Sequence, residues 1–126
     1  MTVTPETRVA EALRLCREHG IRRLPVVKDG RVVGVVREAD LLRLTPSEAT
    51  TLDRHELMYV LERITVARIV TPAVIVSPEI SLAEAARRLG DGADELLVAA
   101  EATLCGILTR SDCLRALLTE TLGQVA

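Results

Sequence analysis

Nothing constrains this chain more than the fact that it is written twice. Pro78-Glu79-Ile80-Ser81-Leu82-Ala83-Glu84-Ala85 matches Pro5-Glu6-Thr7-Arg8-Val9-Ala10-Glu11-Ala12 at an offset of 73, and Gly106-x-x-x-x-x-Asp112 matches Gly34-x-x-x-x-x-Asp40 at an offset of 72. One residue is lost between the two markers, so the pattern is a duplication. Two copies in one short chain imply halves related by a pseudo-two-fold axis.

Each copy reads strand, helix, strand, strand, helix. In the first, Thr2-Val3-Thr4-Pro5 is a short strand stopped by Pro5, and Glu6 and Thr7 open a helix with Val9, Ala12, Leu13 and Cys16 at i, i+3, i+4 and i+7. Gly20 ends it. Residues 21–27 and 31–36 flank Lys28-Asp29-Gly30, and Asp-Gly is a strong hairpin signal. Pro25 lacks an amide donor, which predicts an edge or a strand start for it. Residues 37–44 turn into a second helix, closed by Thr45-Pro46-Ser47.

In the second copy, Val74-Ile75-Val76 repeats the opening strand, Gly90 and Gly92 end the helix, and Glu101-Ala102 replaces the Asp-Gly turn between strands at 95–99 and 103–108. Between the copies, residues 53–64 place Leu57, Val60, Leu61 and Ile64 on one helical face, with Asp53 and Glu56 as an N-cap signal. That helix is expected to brace one half against the other. The predicted division is a first repeat at 2–44, a helical linker at 45–68, a second repeat at 69–118 and a fraying tail at 119–126. The class is α/β (α+β): two β-α-β-β-α repeats.

Composition narrows the function. The 126 residues hold no Trp or Phe and only Tyr59 among the aromatics, so aliphatics fill the core and a nucleic-acid surface built on stacking rings is disfavoured. A net charge of −2 points the same way, because a phosphate backbone needs a basic excess. Cys16, Cys105 and Cys113 lack CxxC spacing and read as structural thiols, and with no signal-type apolar stretch the chain is expected to be cytoplasmic and not membrane-bound. His19 and His55 have no ligand-spaced neighbours, so no metal site is expected. Nor is an enzyme: no acid, base and nucleophile converge, and no Gly-x-Ser-x-Gly elbow occurs.

The stretch Gly106-Ile107-Leu108-Thr109-Arg110-Ser111-Asp112 carries what chemistry there is. An apolar strand ends and a helix begins there. Thr109 is placed as N-cap, and the amides of Arg110, Ser111 and Asp112 stand at the positive end of the helix dipole, a seat for an anion such as phosphate. A plain cap explains the same residues without any ligand.

The spaced pair of motifs, Ile21-Arg22-Arg23-Leu24-Pro25-Val26-Val27 with Gly34 and Asp40, then Gly106 to Asp112, resembles a tandem pair of CBS (cystathionine-beta-synthase) domains, a Bateman module, over residues 2–118. Its linker is similar to that of the bacterial acetoin-utilisation B-type CBS proteins. The resemblance implies a non-catalytic regulatory module that binds AMP, ADP, ATP or S-adenosylmethionine in clefts between the repeats, needs no cofactor, forms a homodimer and modulates an enzyme or transporter. It implies that Asp112 takes ribose hydroxyls, Thr109 phosphate and Ile107 the purine, with Arg110 beside them. Arg22 and Arg23 match positions where basic side chains reach phosphate. Adjacent strand residues face opposite ways, so one of the two is expected in any given cleft.

The first copy departs from the family pattern at the hydroxyl position, which is Arg37. There Asp40 is left for a ribose and phosphate would have to meet guanidinium, so that site reads as altered and the second copy as the more complete one. The alternative reading is a dimerisation module with vestigial clefts, pairing through helix faces that include Leu13, Cys16, Leu41, Leu44, Leu114 and Leu117.

Overall fold

The two hairpins set the architecture. In the computed structural model, which describes residues 1–44 and 54–125 (side chains to 119), β1 (Arg23–Lys28) pairs antiparallel with β2 (Arg31–Arg37). Asp29 and Gly30 supply the two positive φ angles of the tight turn, 52° and 79°. The second hairpin, β4 (Glu95–Ala100) with β5 (Thr103–Thr109), forms the same turn from Glu101 at φ 51° and Ala102 at φ 73°. Neither residue favours that conformation, so the register of the flanking strands imposes it. Even the bulge recurs, between Val26 and Val27 and between Val98 and Ala99.

The chain divides into two units, Met1–Pro72 and Ala73–Ala126. In the first, α1 (Val9–His19) follows a single parallel bridge, Val3 to Val26, rather than a full strand, and Arg8 instead of Glu6 or Thr7 is its N-cap. Gly20, at φ 62°, closes α1 in the left-handed conformation. Val9, Ala12, Leu13 and Cys16 all turn inward onto Leu24, Val26, Val36 and Leu41. Burial pushes the Cys16 thiol up, and the Glu38 carboxylate adds to this.

Pro25 lies inside β1, not at its start. Val3 N donates to Pro25 O at 2.9 Å and Val27 N to Val3 O at 2.8 Å, so residues 25 and 27 point toward Val3 and away from β2. The donor that Pro25 lacks faces the side with a single bridging residue, and the hairpin ladder loses nothing.

After α2 (Glu38–Arg43), α3 (Arg54–Leu61) and a short 3₁₀ turn (Val66–Arg68) bring the chain back along the first unit. Val9 N donates to Ile64 O and Val66 N to Thr7 O, both at 2.8 Å, and Thr71 exchanges two backbone bonds with Val35 on the free edge of β2. The expected helix end at Thr45-Pro46-Ser47 and the Asp53 cap lie outside the described residues.

In the second unit β3 (Val74–Val76) joins β4 in parallel to give the order β3-β4-β5. Here α4 (Leu82–Gly90) has its cap in place, Ser81 Oγ accepting from Glu84 N at 3.1 Å. Arg87 and then Arg88 hold the Glu84 carboxyl down at about 2. Val76, Ala85, Leu89, Leu96 and Cys113 form the core. The last helix, α5, runs Arg110–Val125 and so extends into the expected tail. Among the thiols, Cys16 and Cys113 are buried and Cys105, within β5, is exposed.

The apolar faces expected to be free also divide differently. Leu13, Cys16 and Leu41 are buried in the first core, while Leu114 and Leu117, with Leu118, stay exposed on α5. A helix read alone shows one stripe, and only the packed structure shows which part of it is already covered.

Candidate functional site

A cavity of about 350 Å³ in the first unit is lined by Arg22, Arg23, Arg37, Glu38, Ala39 and Leu42. Three arginines therefore line one cavity at the place where β2 gives way to α2. Strand pairing brings two of them together, because Arg23 and Arg37 are cross-strand partners and their side chains share one face of the hairpin. Arg22 joins them because it precedes β1, outside the alternation that would have turned it away. Both adjacent arginines thus line the same cavity, contrary to the expectation that one would. Glu38 N donates to Arg22 O at 2.8 Å, which ties the end of β2 to the residue before β1.

Like charges opposite one another oppose the hairpin; Arg23 and Arg37 each have a further partner and Glu38 stands on the same wall, and an anion between the two arginines would lower the repulsion that is left. Forked donors suit a phosphate or carboxylate in particular. Asp40 is not on the cavity wall; it is half-buried and pairs with Arg43 at 3.1 Å.

The second unit repeats the geometry with the opposite charge. Glu95 faces Thr109 in the register where Arg23 faces Arg37, and Asp94 stands where the first unit has Arg22. Glu95 is 4% exposed. Two carboxylates and a hydroxyl occupy the positions of three arginines. Reading the two hairpins in register shows this inversion in the sequence itself. Comparing the copies by their Gly and Asp markers alone passes over it.

The predicted ligand residues of that unit have local partners. Thr109 N and Oγ1 donate to Asp112 Oδ2 at 3.0 and 2.9 Å, and Asp112 N donates back to Thr109 Oγ1 at 3.3 Å. This is a reciprocal capping box at the start of α5, with Asp112 Oδ1 3.8 Å from Arg115. Asp112→Ala leaves the Thr109 amide without that acceptor and is expected to cost about 1 kcal/mol by denaturant unfolding.

Arg110 turns away from the cap. Its Nε donates to Leu89 O and its Nη2 to Ala93 O, each at 3.1 Å, and Nη1 is 3.8 Å from Asp94. It closes the carbonyl end of α4, so Arg110→Ala is expected to cost about 1 kcal/mol in stability while leaving affinity for any phosphate ligand unchanged. Ile107 is half-buried in β5 opposite Leu97. The eight candidate residues therefore form two groups, one in each unit: Arg22, Arg23 and Arg37 around the cavity with Asp40 apart from it, and Ile107, Thr109, Arg110 and Asp112 at the β5–α5 join.

Among the described residues no three His, Cys, Asp or Glu side chains are grouped to hold a metal, and no helix is long and apolar enough to cross a membrane.

The CBS domain family profile matches residues 1–47 and 66–119. A protein of Methanocaldococcus jannaschii, MJ0653, is 44% identical over 46 residues, which are 36% of this chain and 24% of that one. CBSX2, a CBS-pair protein of Arabidopsis thaliana, has the same fold at a TM-score of 0.78 with 35% identity over 96% of this chain and 87% of its own. The same protein in complex with AMP superposes at 0.74, with 34% identity over 96% and 89% of the two chains. A Vibrio cholerae protein assigned to acetoin utilization (AcuB) shares the fold at 0.74 with 22% identity, over 99% of this chain and 88% of that one. With the profile falling on both copies and the hairpins of both in one register, the chain belongs to the CBS-domain family.

Proposed function

We propose that this CBS pair is a regulatory module for an adenine nucleotide, AMP, ADP or ATP, whose phosphate is held by Arg22, Arg23 and Arg37 of the first unit. The observation that carries it is that those three arginines line one cavity. A chain one-third identical to this one has been solved with AMP, which gives the ligand class its support. S-adenosylmethionine is the weaker choice, because a sulfonium gains nothing from a triple-arginine wall.

Occupancy would relieve the Arg23–Arg37 repulsion and so favour one setting of the β2–α2 join. An enzyme or transporter that recognises that setting would respond to nucleotide level by a shift in population. Catalysis has no part in this reading. Homodimerisation does: Leu114, Leu117 and Leu118 are 59%, 41% and 53% exposed at i, i+3 and i+4 on α5, an apolar stripe suited to pairing with a second copy. The same stripe is what favours the second reading, an assembly module without ligand. A reducing cytoplasm suits the three free thiols.

Calorimetry separates the readings. AMP, ADP and ATP should bind, each more weakly as salt rises, and S-adenosylmethionine should bind at least about tenfold more weakly than the best nucleotide. No heat from any nucleotide at millimolar concentration would leave the assembly module standing.

A further inference from the structure

The larger cavity of the first unit has no part in that reading. It is a groove of about 780 Å³ between α1 and α3. Its floor is apolar: Leu13 and Leu61 are buried, Leu57 is half-buried and Met58 is 43% exposed. The two helices run in opposite directions along it, because the start of α1 is bonded to the residues just after α3, Val9 N to Ile64 O and Arg8 Nη1 to Arg63 O at 2.9 Å. Arg17, near the end of α1, and Arg54, at the start of α3, therefore stand at the same end of the groove.

The other charges on the rim are accounted for. Arg14 is held by Glu11 and by Glu18, the latter at 2.9 Å, and Arg8 is engaged with the Arg63 carbonyl. Glu62 lies at the far end, beside the last turn of α3. Arg17 and Arg54 meet no acceptor among the described residues. The groove thus has a cationic end made of two forked donors, an apolar middle, and a far end where Arg8 and Glu62 stand with opposite charges.

We propose that this groove is a second ligand site, for a small apolar carboxylate whose carboxyl group lies between Arg17 and Arg54 and whose hydrocarbon body covers Leu13, Leu57, Met58 and Leu61. The volume falls in the range of small-molecule pockets, ~300 to 1,000 Å³, and the walls, about 16 and 12 Å long from their 11 and 8 residues, match a medium-length chain. A carboxylate takes bidentate bonds from guanidinium, and two such groups at one end, where among the described residues no second carboxylate faces them unpaired, set the orientation.

Met58 makes the proposal testable in the intact chain, because the protein has two methionines and the other is Met1. With methyl-labelled methionine, decanoate below its micelle concentration should shift the Met58 signal saturably and leave Met1 in place. Arg17→Ala with Arg54→Ala, two surface changes, should weaken decanoate roughly tenfold or more and leave decanol unaffected. Decanol binding as tightly as decanoate, or the double variant binding decanoate like the parent, would reduce the groove to a bare apolar patch and overturn the site. An unmoved Met58 signal overturns it too, including the case in which sedimentation shows a second copy seated over α1 and α3.

Discussion

Arg22→Ala combined with Arg37→Ala is expected to lower affinity for AMP or ATP by about a hundredfold or more while changing stability by no more than about 1 kcal/mol. Hydrogen bonds to charged groups contribute ~1.5 to 3 kcal/mol each, and every 1.4 kcal/mol is a factor of ten, so the loss of two such contacts reaches that size. The small effect on stability follows from the hairpin register. Arg37 stands opposite Arg23, and like charges opposite one another oppose folding by up to ~1 kcal/mol, so its removal takes away a repulsion along with its contacts. Few substitutions separate a ligand contact from a structural one so widely, because here the ligand's attraction and the fold's repulsion come from the same side chain. Calorimetry with ATP and a denaturant melt on the same preparation check both halves. A double variant that binds ATP as tightly as the parent would remove the first unit from the nucleotide reading.

The sequence made the repeat, both hairpins and the family resemblance legible because all three rest on local signals: Asp-Gly at a turn, apolar spacing on helices, a marker pair returning at a fixed offset. The site was less legible because it depends on relations a linear reading does not show. Arg37 looked like a lost hydroxyl, and only its pairing with Arg23 makes it one wall of a guanidinium cavity. Arg22 was assigned to a strand it merely precedes. Asp94 and Glu95 carry no motif in the linear sequence, although the same register places two carboxylates where the first copy has two arginines. Thr109, Arg110 and Asp112 are legible as a strand-to-helix join, and the hydrogen bonds that close the ends of α5 and α4 there depend on the packed structure. The length of α5 is hard to read from the sequence for a different reason, since Thr119, Thr121 and Gly123 blur the apolar spacing that marks a helix.

Duplication also hides an asymmetry in the two glycines that first revealed it, and alanine substitutions at Gly34 and Gly106 are expected to act with opposite sign. A Cβ on Gly34 would lie 2.5 Å from both Thr71 O and Val70 Cγ1, so the returning chain would have to move away from β2. That movement strains the two bonds that hold it, Val35 N to Thr71 O at 3.0 Å and Thr71 N to Val35 O at 2.9 Å. Overpacking costs about 1 to 3 kcal/mol and each backbone bond about 1 kcal/mol, so Gly34→Ala should destabilise the protein by roughly 2 to 5 kcal/mol. At Gly106 nothing lies within 4 Å of the added Cβ and φ is not positive. There the restriction of the unfolded chain dominates, and Gly106→Ala should be neutral or stabilising by up to ~1 kcal/mol. Parallel denaturant melts of the two variants read the difference directly. Equal midpoints would mean that Thr71 does not bridge β2 in solution, and the first glycine would then owe its place to something other than the returning chain.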